Sequence, residues 1–206
     1  AIGWITFDDP TRSLNVLSEP VMKRFAETID EARTAARDAR VRAVVIRGKD
    51  KSFIAGADIE VIGRVENPDL AEAQIRLGQA IFSNVTALPV PTVAAVHGLC
   101  VGGGVEMSLS CDYRVLSDSE RTTMSLPEVQ LGILPAWGGT TRLPRLIGLQ
   151  AALDMLLTGK RVRASKAKRI GLASAVVPAP IFQEAVRDFT LGLIGEKGAP
   201  RTRKRS

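Results

Sequence analysis

Four glycines fall within seven residues in His97-Gly98-Leu99-Cys100-Val101-Gly102-Gly103-Gly104, between the apolar run Thr92-Val93-Ala94-Ala95-Val96 and a second one opening at Val105. A short apolar run bounded by glycine reads as a buried strand. Glycine permits backbone conformations and close approaches that a Cβ forbids. Val105 to Ser110 then starts a short helix, so this part of the chain is committed to strand, glycine-rich turn and helix. The helix start presents unpaired N–H groups and partial positive charge, and Glu106 stands about one turn inside it. A P-loop would need a Gly-Lys-Ser/Thr ending, which is absent. The spacing of Gly98, Gly102, Gly103 and Gly104 does not fit a dinucleotide-binding turn either.

The rest of the chain alternates strands and helices, which predicts an α/β fold. Ile2 to Phe7 reads as a strand broken at Asp8-Asp9-Pro10. Ser18 is a plausible N-cap with Pro20 in the first turn, opening a helix to about Arg37. Val41 to Ile46 is a buried-strand candidate ending at Gly48. Asp69 to Thr86 reads as a helix with Leu70, Ala73, Leu77, Ile81 and Val85 on one face. Asp112 to Ser117 returns as a strand. Helices are predicted over Trp137 to Ile147, Gln150 to Leu157, Ser165 to Ile170 and Ile181 to Ile194, with a strand over Ser174 to Val177. Residues 1–194 are expected to form one domain and residues 195–206 a basic linker or tail.

Charge and cysteine content narrow the class. Four of the six net positive charges sit in Arg201-Thr202-Arg203-Lys204-Arg205, so the remainder is nearly balanced. A basic tail is either a solvated linker or a nucleic-acid contact. Aromatic residues make up only 4% of the chain, a poor supply for stacking single-stranded nucleic acid. No apolar run is long enough to span a bilayer, and the first residues lack the pattern of a secretory signal. With two cysteines, Cys100 and Cys111, free thiols and a cytoplasmic setting are expected. The lone His97 cannot assemble a metal site by itself. It reads as a structural residue at a strand end, and no metal is expected.

Two further constellations bear on chemistry. Ser52-Phe53-Ile54-Ala55-Gly56-Ala57-Asp58-Ile59 follows a strand, turns at a glycine and leads toward a helix that Asp58 could cap. Outward-facing N–H groups at such a turn can receive a developing oxyanion, although an ordinary strand-to-helix turn has the same pattern. Ser125-Leu126-Pro127-Glu128-Val129-Gln130-Leu131-Gly132-Ile133-Leu134-Pro135 places Glu128 among apolar residues, followed by Trp137-Gly138-Gly139-Thr140. A carboxyl group buried there would have a raised pKa suited to proton transfer. A surface glutamate after a turn would look the same.

In this order, Phe53 to Ile59, Gly98 to Glu106 and Leu126 to Gly139 resemble the signature segments of the crotonase (enoyl-CoA hydratase/isomerase) superfamily. The resemblance runs from Gly3-Trp4-Ile5-Thr6-Phe7 to Gly171-Leu172-Ala173-Ser174-Ala175-Val176-Val177. Thr6-Phe7-Asp8-Asp9-Pro10 with Asn15-Val16-Leu17 is most similar to the amino-terminal hydratase region of multifunctional fatty-acid oxidation proteins. The resemblance implies a crotonase-like spiral of ββα units with its carboxy-terminal helices truncated. It implies a homotrimer or hexamer, or a larger fatty-acid oxidation complex.

The resemblance also implies roles for residues. Glu106 and Glu128 become the catalytic carboxyl pair, Glu106 activating water and Glu128 exchanging a proton at C2. The N–H groups of Ala57 and Gly103 become the oxyanion hole, and Ala55, Gly56, Asp58 and Ile59 lie along the coenzyme A moiety. The implied reaction is hydration of trans-2-enoyl-CoA, with room for Δ3-Δ2-enoyl-CoA isomerase activity. No cofactor is required, because coenzyme A is part of the substrate. Ala136-Trp137 departs from the small or glycine-rich pair more usual before Gly138-Gly139, which bears on the shape of the acyl pocket. Two competing readings are an RNA-binding homologue acting through the basic tail and an idle module that only supports oligomerisation.

Overall fold

The computed structural model describes residues 1–49, 52–58 and 67–195. Nine strands and seven α-helices are found among them. The strands are β1 (Ile2–Phe7), β2 (Ala43–Gly48), β3 (Ser52–Ile54), β4 (Thr92–Val96), β5 (Leu99–Val101), β6 (Tyr113–Ser117), β7 (Thr123–Ser125), β8 (Val162–Arg163) and β9 (Ala175–Val177). The helices are α1 (Glu19–Arg37), α2 (Pro68–Thr86), α3 (Gly103–Ser110), α4 (Gly139–Ile147), α5 (Leu149–Thr158), α6 (Ala164–Arg169) and α7 (Phe182–Gly195). Short 3-10 turns cover Pro127–Leu131 and Ala179–Ile181.

The larger sheet is wholly parallel, in the order β1-β2-β4-β6-β9. The smaller runs β3-β5-β7-β8, with only its last pair antiparallel. Three strands of the larger sheet are each followed by a short one in the other: β2 by β3, β4 by β5, β6 by β7. A helical segment then returns the chain, so the expected spiral of ββα units is the observed topology. Side-chain alternation explains the layering. Val44 and Ile46 face the main core between the sheets, while Val45 meets Phe182, Val186 and Leu193 of α7 with Val93, Ala95 and Val115. The β2 to β4 region is therefore covered on both faces, which its continuous apolar composition anticipates.

The structure corrects several sequence expectations. The glycine-rich segment 98–104 is not all turn, because Leu99–Val101 pairs with both β3 and β7. Helix α4 begins at Gly139 and not at Trp137, since the Trp137 N–H is turned toward a side chain of another element. On α2 the buried face carries Gly78, Ile81, Phe82 and Val85, with Ala71 and Ile75 half-buried. Leu70, Ala73 and Leu77 are exposed. Ser18 stands at the N-cap of α1, with Pro20 in the first turn, but makes no side-chain capping bond.

Several polar residues have structural positions. His97 Nδ1 lies 2.8 Å from Ser117 Oγ, and its ring packs against Phe182. Cys100 and Cys111 are buried free thiols. Arg114 on β6 is buried and donates to the backbone oxygens of Leu172, Ser108 and Cys111 at 2.8, 3.2 and 2.9 Å. It thereby satisfies carbonyls at the end of α3, where a helix leaves acceptors without intrahelical partners. No described helix is long and apolar enough to cross a membrane.

Candidate active site

The parallel pair β3–β5 delivers two turns side by side, Ala55 to Asp58 after β3 and Gly102 to Gly104 after β5. The first turn is held by its backbone and by one buried side chain. Ala55 N–H donates to Asn15 O and Leu17 N–H to Gly56 O, both at 2.8 Å. Asn15 Nδ2 donates to Phe7 O and Phe53 O at 2.8 and 2.9 Å, fastening this turn to β1. The second turn is tied down by Gly102 N–H donating to Ser125 O at 2.9 Å. Gly102 has φ of +52°, where side chains are strained, and a Cβ there would lie 3.0 Å from Glu128 Oε1. Gly103 is the first residue of α3, so its N–H has no partner within the helix.

Ala55, Gly56, Ala57, Gly103, Glu106 and Glu128 all line one cavity of about 340 Å3. Apolar side chains of α2, of segment 131–134 and Trp137 complete its walls. Asp58 is not on this wall; it pairs with Arg12 at 3.0 Å. Ile59, the helix that Asp58 was expected to cap, and the basic tail lie outside the described residues. A more open groove between β1 and α1 is lined by Arg24, Glu27, Asp30 and Glu31 of α1 together with uncharged residues of both elements. Neither predicted carboxyl group reaches it.

The two glutamates have different surroundings. Glu106 is 3% exposed, and its Oε1 accepts from Trp137 N–H and Gly139 N–H, each at 2.8 Å. Burial lifts its pKa to about 7, and the Glu128 charge pushes the same way. The two N–H donors and the Arg142 guanidinium oppose that rise by favouring the carboxylate. Arg142, half-buried, also donates to Trp137 O at 3.0 Å and to Ser83 Oγ at 3.4 Å. Glu128 sits in the 3-10 turn after β7, is 9% exposed, and has its pKa raised by burial. Its buried Oε2 has no hydrogen-bond partner. Such an atom is costly unless a ligand or a bound water meets it.

Glu106 ordinarily ionises near 4.5 and in the fold near 7. The folded state thus holds this proton more tightly than the unfolded chain. Its contribution is fully present below about pH 4.5 and lost as pH rises through 7. Glu106→Gln is expected to be more stable than the parent at pH 8 by roughly 3 kcal/mol, with the advantage shrinking toward pH 5. Urea unfolding of both proteins at the two pH values measures this. An advantage independent of pH would contradict it.

The sequence singled out Glu106, Glu128, Ala57 and Gly103, and the fold places all four on one cavity. Sequence reasoning missed Asn15, Gln79 and Arg142, which hold the surrounding backbone. Gln79 Nε2 donates to Ala136 O at 2.7 Å. None of these three falls within a pattern that signals backbone clamping, and only their contacts reveal it.

The family described as enoyl-CoA hydratase/isomerase matches residues 1–197. The alpha subunit of the fatty acid oxidation complex of Aliivibrio fischeri is 45% identical over 191 residues, 92% of this chain and 28% of that protein. The Vibrio vulnificus alpha subunit is 41% identical over 206 residues, 99% of this chain and 28% of the relative. The chain thus spans little more than a quarter of the length of these curated relatives. Among solved structures, the enoyl-CoA hydratase of Bacillus anthracis superposes with a TM-score of 0.86 at 31% identity, covering 95% of this chain and 73% of that one. An enoyl-CoA hydratase/carnithine racemase of Magnetospirillum magneticum gives 0.86 at 29% identity, covering 94% and 71%.

Proposed function

The chain belongs to the enoyl-CoA hydratase/isomerase family, and from that premise we propose that it adds water to trans-2-enoyl-CoA thioesters in fatty-acid β-oxidation. One observation supports this reading: two buried carboxyl groups and the two turns that carry Ala57 and Gly103 line a single cavity. Adding water across a 2,3-double bond moves an electron pair toward the thioester oxygen. Ala57 and Gly103 N–H would stabilise the resulting enolate, by about 3–4 kcal/mol per donor.

The carboxyl groups divide the protons. Glu106 has Oε1 held by two N–H donors and its charge favoured by Arg142. It serves as the carboxylate that binds water and takes its proton as the oxygen bonds to C3. Glu128 gives a proton to C2 from the state in which the pair holds one proton, a state favoured because the two charges repel. The pair ends with its protonation exchanged and resets by proton transfer. Two such groups match the general acid–base demand of hydration, whereas shifting a double bond needs only one. Δ3-Δ2 isomerisation remains a side activity in this reading. No cofactor enters, since coenzyme A arrives with the substrate and lies along Ala55 and Gly56.

The named relatives are subunits of a fatty acid oxidation complex, and we read this chain as a component of a comparable assembly. The exposed leucines Leu149, Leu153 and Leu157, spaced along one face of α5, support an assembled state.

The test is the loss of conjugated-thioester absorbance when crotonyl-CoA is mixed with the chain or with Glu128→Gln. The parent is expected to consume it and the variant to be slower by about 10²-fold. Equal rates would remove Glu128 from the chemistry, and an inert parent would sink the hydratase reading.

A further inference from the structure

Gly78 occupies the interior of α2, where glycine weakens a helix. Its reason is a neighbour. A Cβ at Gly78 would lie 2.3 Å from Nε1 of Trp137 and 2.6 Å from Cδ1 and Cε2. The opposite edge of the same indole meets the other end of the site. A Cβ at Gly103 would lie 2.9 Å from Trp137 Cζ3 and 3.0 Å from Cε3. The ring therefore bridges α2 and the first residue of α3, seated on a glycine at each side. Phe82 meets it edge-to-face, with centroids 5.6 Å apart and planes at 87°.

The backbone beneath the indole is equally constrained. Trp137 N–H is held by Glu106 Oε1, Trp137 O by Arg142, and Ala136 O by Gln79. The ring is thus a fixed wall. The α2 side of the cavity is formed by Ala71, Gln74 and Ile75. One turn further, Gly78 is buried beneath the indole and does not line the cavity. The indole forms the cavity wall on this side.

On the hydratase reading, a thioester oxygen held at Ala57 and Gly103 places the double bond beside Glu106 and Glu128. The carbons beyond C3 then run alongside the Trp137 ring. We infer that the Trp137 indole, seated on Gly78, sets the acyl-length limit and restricts the site to short 2-enoyl-CoA thioesters. A long tail would have to occupy the volume between Gly78, Phe82 and Gly103 that the indole fills.

The experiment compares kcat/KM for crotonyl-CoA and 2-decenoyl-CoA in the parent, Trp137→Phe and Trp137→Ala. The parent should prefer crotonyl-CoA. The decenoyl-to-crotonyl ratio should rise by about tenfold or more in Trp137→Ala, with Trp137→Phe between, a scale set by the discrimination available per methylene in a close-packed pocket. A parent indifferent to chain length, or a ratio unchanged in both variants, would overturn the inference. Should both variants lose turnover through the Glu106 contact, calorimetric binding of butyryl-CoA and decanoyl-CoA decides. A relative gain for decanoyl-CoA over the parent supports the limit, and no gain overturns it. A parent that neither binds nor hydrates crotonyl-CoA marks failure of the hydratase reading itself, and the inference falls with it.

Discussion

Glu106→Gln should slow hydration of crotonyl-CoA by about 10³-fold while leaving the fold at least as stable as the parent. In the proposed mechanism the rate loss follows from removing the group that accepts the proton of the attacking water, for which acid–base contributions span about 10² to 10⁴. The amide preserves shape, and its oxygen can still accept from Trp137 and Gly139 N–H, which Glu106 Oε1 now binds at 2.8 Å. Stability should rise at pH 8, because a buried carboxylate is replaced by a neutral group. Burial is the dominant cause lifting Glu106 to about 7. A slower, more stable protein would separate lost chemistry from lost folding. Near-parental hydration would refute the assignment of water activation to Glu106. The parent's rate should also fall as pH drops below 7 and this carboxylate is protonated.

The sequence carried the site more fully than it carried the packing around it. Glu106 follows three glycines at a helix start, and Glu128 interrupts an apolar run. Both are chemical anomalies that local reading can detect. The α2 face was misjudged for an instructive reason. Leu70, Ala73 and Leu77 make a plausible apolar stripe, yet they are exposed, and the buried face runs through Gly78. A residue without a side chain adds nothing to an apolar stripe, so the docking place of Trp137 reads as a gap. The donors to Glu106 are backbone N–H groups, whose direction depends on the turn after Pro135 and has no residue code. Strands β7 and β8, of three and two residues, are too short for periodicity to register. Asp58, whose backbone the resemblance sets along coenzyme A, turns its carboxylate to Arg12.

The distance between the proposed oxyanion donors should prove as sensitive as the carboxyl groups, and Gly104→Val tests it. The two donors belong to different elements, Ala57 beyond β3 and Gly103 at the start of α3. Their spacing is governed by how closely α3 approaches β3. Gly104 makes that contact: a Cβ there would lie 2.4 Å from Ile54 O and 2.9 Å from Ile54 Cβ. The first of these neighbours is backbone in the buried strand β3, paired to β5, so it cannot swing aside. A valine at Gly104 must push the helix away and carry Gly103 N–H and Glu106 with it. Displacement of about 1 Å is enough to cost roughly 10²-fold in rate, and overpacking of this kind destabilises by about 1–3 kcal/mol. The expected result is a fall in kcat of about 10²-fold per folded molecule, with unfolding shifted to lower urea concentration. Affinity for a saturated thioester such as butyryl-CoA should fall less than kcat, since the donors matter most when charge develops on oxygen. If kcat per folded molecule held at the parental value while only stability dropped, the close approach at Gly104 would serve packing alone. The assignment of Ala57 and Gly103 N–H as the oxyanion donors would then fall.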